Sequence, residues 1–147
     1  MSAEVETVSA FLEAVLRRDQ ERIRQRREKV ENVDPSLLAA MVGAVFYLGV
    51  RSRFSDDADV RGITKFVRET QERLGDGQSL DARVAEAAVR GALGEEELLD
   101  GIDHDQLVAT ELTLIFAISF DRKWSDDAVE NLLARSKELT LSSLEEE

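Results

Sequence analysis

Residues 37–58 read LLAAMVGAVFYLGVRSRFSDDA, and residues 107–128 read LVATELTLIFAISFDRKWSDDA. Laid over one another at an offset of 70, without a gap, they match Leu37 to Leu107, Phe46 to Phe116, and Ser55-Asp56-Asp57-Ala58 to Ser125-Asp126-Asp127-Ala128. The match extends weakly to Thr70/Thr140 and Leu74/Leu144, giving nine identities in 38 aligned positions, four of them consecutive. Each copy opens with a stretch that is apolar nearly all round, the pattern of a central helix rather than a surface one. An aromatic residue, a serine and two aspartates follow. That order suits a helix start: the serine caps, the acids sit at the positive end of the dipole, and Phe54 or Trp124 packs back as a staple. We therefore expect an all-α fold, a single domain over residues 1–147, with about seven helices. Its halves, residues 37–74 and 107–144, would be related by a pseudo-two-fold axis.

Working outward, a first long helix is expected from Ala3 to Glu31, with Val5, Val8, Leu12, Val15 and Val30 on one stripe that Asp19, Arg22 and Arg26 interrupt. Asp34 caps the first central helix, Ser36 to Arg51, with Pro35 where a missing N–H is harmless. Ser55 caps the next, which Gly75 and Gly77 end. Ser79 starts another, stopping at Gly94, and Glu95–Asp100 reads as a short acidic helix. Asp103 caps the second central helix, to about Asp121, and Ser125 caps the last, toward Leu141. Gly43 and Gly49 match Thr113 and Ser119. Small residues at equivalent places would let the two central helices cross closely, so Gly43→Leu is expected to destabilise by overpacking.

The chain is 43% hydrophobic and 34% charged with one proline, a globular mixture. It has no cysteine, which removes disulfides and thiolate chemistry. The first ten residues carry Glu4 and Glu6 and no basic group, unlike a secretory signal. The apolar runs 37–50 and 112–120 fall short of the roughly 18–20 residues that span a bilayer. A cytoplasmic, non-membrane protein is the expectation.

Net charge is −12, unevenly spread. Arg17, Arg18, Arg22, Arg24, Arg26, Arg27 and Lys29 face only three acids within residues 17–29, so the rest of the chain carries −16. The overall sign repels nucleic acid at long range, and the segment lacks interleaved aromatics. These seven cations are therefore candidates for binding an acidic protein partner, or for helix-face pairs such as Arg17–Glu21 and Arg24–Glu28. Homodimerisation through the half-apolar first helix is a further expectation.

Acidic clusters are the candidates for metal chemistry. The duplicated Ser-Asp-Asp element could offer oxygen ligands to a hard cation, but capping accounts for every residue in it. Asp100, Asp103, His104 and Asp105 surround the only histidine. They break the EF-hand pattern, since Asp105 stands where glycine is required. Glu69-x-x-Glu72 followed by Glu97-x-x-Asp100 resembles the motif of the all-α nucleoside triphosphate pyrophosphohydrolases, the MazG-like and dUTPase families. The resemblance implies that these four carboxylates would hold Mg²⁺ ions activating water against a phosphoanhydride. Gly91 and Gly94 depart from the continuous helix those families use. The favoured expectation is thus a non-enzymatic interaction or regulatory module without a cofactor, with the Mg²⁺-dependent hydrolase as the alternative.

Overall fold

A computed structural model describes residues 3–54, 59–74 and 80–145. Among them it forms α1 (Ala3–Leu16), α2 (Gln20–Val30), α3 (Pro35–Arg53), α4 (Val60–Leu74), α5 (Ala82–Ala92), a short 3-10 helix (Glu96–Leu99), α6 (His104–Arg122) and α7 (Asp126–Glu145), with no strand. The expected all-α architecture is the one observed.

Local capping explains where most helices begin. Asp34 accepts a hydrogen bond from the Ser36 N–H at 2.9 Å, and Pro35 opens α3. Asp103 accepts from the Gln106 N–H at 3.0 Å at the start of α6. Ser125 accepts from the Ala128 N–H at 3.2 Å at the start of α7. Each satisfies a backbone donor that the first helical turn leaves unpaired. α5 is capped by Asp81, which accepts from both Arg83 and Val84. The caps assigned to Ser55 and Ser79, and the stop at Gly75 and Gly77, lie outside the described residues.

The long first helix does not form as one rod. It stops at Leu16, Arg18 takes a left-handed conformation (φ 60°), and Asp19 caps α2 by accepting from the Arg22 N–H at 3.1 Å. The reason lies in burial. Val5, Val8, Phe11, Leu12, Val15 and Leu16 all enter the core, whereas α2 buries only Val30 and leans Ile23 against it. A break lets the charged half settle on α1 instead of extending the apolar stripe past its partners. The apolar stripe of Val5, Val8, Leu12, Val15 and Val30 is accordingly buried within one chain.

α3 is the central element. It packs most extensively on α6 and then on α7, with further contacts to α1 and α5. Val42, Val45, Phe46 and Val50 of α3 meet a single core that also holds Leu12 and Leu16 of α1, Ile63 and Val67 of α4, and Leu114, Ile115 and Ile118 of α6. Each such side chain contributes about 1.5–3 kcal/mol on removal from water. At 19 residues, α3 is longer than the 37–50 run suggested, and by length and composition it could cross a bilayer. Here it lies among other helices.

Some equivalent positions behave alike. Thr70 and Thr140 are both buried, and each donates its hydroxyl to the carbonyl four residues back, Phe66 and Ser136, at 2.9 Å. The packing partners differ, however: α7 lies along α3, whereas α4 lies on α5. Gly43 is a correction. A Cβ added there would meet nothing within 4 Å, because Gly43 opens into a cleft. Gly49 does face the second half: a Cβ would lie 3.8 Å from Trp124 and 4.0 Å from Ile118, ordinary contact distances.

Candidate functional site

The break after α1 divides the basic segment into two sets with different work. Arg17 bonds to Glu13 on its own helix and to Asp126 at the start of α7. Arg18 donates to the Ser119 carbonyl at 2.8 Å and stacks over the Phe120 ring, 5.9 Å from its centroid. Both therefore fasten the α1–α2 corner to the far side of the bundle. Arg22 pairs loosely with the capping Asp19 at 3.5 Å. The expected pairs Arg17–Glu21 and Arg24–Glu28 do not form: Arg17 precedes the break and turns to Glu13 and Asp126.

Arg24, Arg26, Arg27 and Lys29 make no ion pair with a described residue. All but the half-buried Arg26 are exposed. Helical spacing puts Arg22, Arg26 and Lys29 on one flank at i, i+4 and i+7, while Arg24 shares its side with Glu21 and Glu28. The basic surface is thus a short row of three cations, not a continuous face over seven.

The four carboxylates of the hydrolase motif are not brought together. Glu69 lies on α4 and pairs with Lys65 at 3.9 Å, and Glu72 is exposed near the end of that helix. Glu97 is exposed on the 3-10 helix and Asp100 just beyond it. Among the described residues no group of three or more His, Asp or Glu side chains is placed to hold a metal ion. His104 is exposed at the start of α6, beside the cap that Asp103 makes.

A carboxylate that motif reading passed over stands elsewhere. Glu111, midway along α6, lines a cleft of about 310 Å³ with Gly43, Phe46 and Tyr47 of α3, Ala88, Gly91 and Ala92 of α5, and Glu96 and Leu99 of the 3-10 helix. It has no ion-pair or hydrogen-bond partner among the described residues, and burial pushes its carboxyl up to about 7. A sequence signal did exist: Glu111 is the one charged residue within 107–120, standing just before the apolar run 112–120, and at the offset of 70 it aligns with the buried Met41.

No family model, no curated protein and no solved structure matches this chain.

Proposed function

We propose that the chain is a cytoplasmic, non-enzymatic interaction or regulatory module that engages an acidic segment of a protein partner through the Arg22–Arg26–Lys29 flank of α2. The observation that supports this reading is one of charge. On this flank Arg26 and Lys29 have no ion-pair partner among the described residues and Arg22 is held only loosely by Asp19 at 3.5 Å, although the rest of the chain carries −16 and could have supplied partners. Cations left unpaired on an acidic protein attract complementary anionic surfaces and steer encounter with them. Nucleic acid is disfavoured, because the surrounding field repels phosphate and the cationic row is short.

Fluorescence anisotropy with a labelled polyglutamate peptide tests the reading. Binding that weakens with salt, and that Arg26→Glu with Lys29→Glu reduces at least about tenfold, is the expected result. Binding unaffected by the double reversal, or tighter binding to a single-stranded oligonucleotide of equal length, would overturn it.

A further inference from the structure

The cleft between α3, α5, the 3-10 helix and α6 has no part in the reading above, and its chemistry is specific enough to name an occupant. Phe46 and Tyr47 supply an aromatic wall, and Ala88, Gly91 and Ala92 keep the opposite side low. At about 310 Å³ it falls at the small end of ligand sites, which run from about 300 to 1,000 Å³. Two carboxylates belong to the lining, Glu111 and Glu96, and no cationic side chain does. Arg51 rides 5.2 Å over the Tyr47 ring and donates to the Ala92 carbonyl at 3.5 Å, marking the edge of the cleft.

Two features of the cleft are unfavourable to the fold alone. Gly43 lies in the middle of α3 with open space beside it, where alanine would give a more stable helix. Glu111 holds a half-buried carboxyl with no partner among the described residues, where its repeat counterpart holds methionine. Each makes sense if the space is kept open and charged for something that enters it.

We propose that this cleft binds a small organic cation, with its ammonium group on the Glu111 carboxylate and its apolar body against Phe46 and Tyr47. An ammonium supplies the charge-assisted donor that Glu111 lacks, and aromatic faces attract cations as well as apolar groups. Binding requires the ionised carboxylate, so affinity falls as pH drops through about 7, where Glu111 titrates. The titratable groups lining the cleft around it are Tyr47 from α3 and Glu96 from the 3-10 helix, with Arg51 of α3 at the edge; α5 contributes none to the lining.

Isothermal titration with phenethylamine as the probe, at about pH 8 and again at about pH 5.5, tests the proposal against two controls that keep the phenylethyl body, the neutral 2-phenylethanol and the anionic hydrocinnamate. Saturable binding of the amine alone, at least about tenfold weaker at the lower pH, is expected. Glu111→Gln should lose it with the fold intact by circular dichroism, and Gly43→Leu, which fills the cleft, should lose it too. Absence of saturable amine binding, equal binding of the neutral alcohol, or undiminished binding to Glu111→Gln would each overturn the proposal.

Discussion

Arg18 donates to the Ser119 carbonyl at 2.8 Å while holding a φ of 60°, so one residue both ends α1 and ties it to α6. The left-handed conformation is unfavourable for any residue with a Cβ, by about 1 kcal/mol or more. The hydrogen bond and the stacking on Phe120 offset it. Arg18→Ala loses these contacts and keeps the strain, whereas Arg18→Gly loses them and relieves it. Urea denaturation should therefore rank the parent above Arg18→Gly, and Arg18→Gly above Arg18→Ala by about 1 kcal/mol.

Three helical glycines separate by what lies beside them. At Gly43 and Gly62 an added methyl would meet nothing within 4 Å, so Gly43→Ala and Gly62→Ala should each raise stability by about 0.5–1 kcal/mol. Gly91 is different, since a Cβ there would lie 3.0 Å from Leu99. Gly91→Ala requires the Leu99 side chain to give by a few tenths of an ångström, which offsets the helix gain and should leave it less stable than the other two variants. Thermal unfolding of the three variants side by side checks the order.

Glu111 links stability to pH. Its carboxyl titrates at about 7 in the fold against an ordinary 4.5, so across that window the folded chain holds a proton that the unfolded chain has released. Stability contributed by this group is present at low pH and is lost as pH rises through about 7. Compared with the parent, Glu111→Gln should be more stable at about pH 8 by on the order of 1–3 kcal/mol, allowing for its partial exposure. The difference should vanish near pH 4, as read by urea denaturation at both values.

Asp121 gathers Arg53 of α3 at 3.4 Å and Arg73 of α4 at 3.3 Å, joining three helices at one carboxylate. All three side chains keep partial exposure, so the network is modest. Asp121→Asn should cost about 0.5–1.5 kcal/mol in dilute buffer, and most of that should disappear at about 1 M salt.

What the sequence made legible follows the reach of each interaction. Asp34, Asp103 and Ser125 could be read as caps because a cap involves one side chain and a backbone group two or three residues away. The all-round apolar stretches likewise announced α3 as central. The break at Arg18 could not be read locally: arginine is a good helix former, and the bond that fixes the break reaches Ser119, on another helix. Gly43 misled for the same reason, since small size suggests a close crossing until the cleft beside α5 is seen. The spacing of Glu69, Glu72, Glu97 and Asp100 carried no information on direction, and the fold leaves them apart. Glu111 was passed over because a lone acid makes no motif, although it is the one charged residue within 107–120.

The most direct test of the proposed contact surface is a residue-by-residue map of amide chemical-shift changes in isotope-labelled protein titrated with polyglutamate. Changes concentrated on Gln20–Val30, and abolished by Arg26→Glu with Lys29→Glu, are the expected result. Changes centred on another helix, or unaltered by the double reversal, would contradict the assignment of α2 as the docking face.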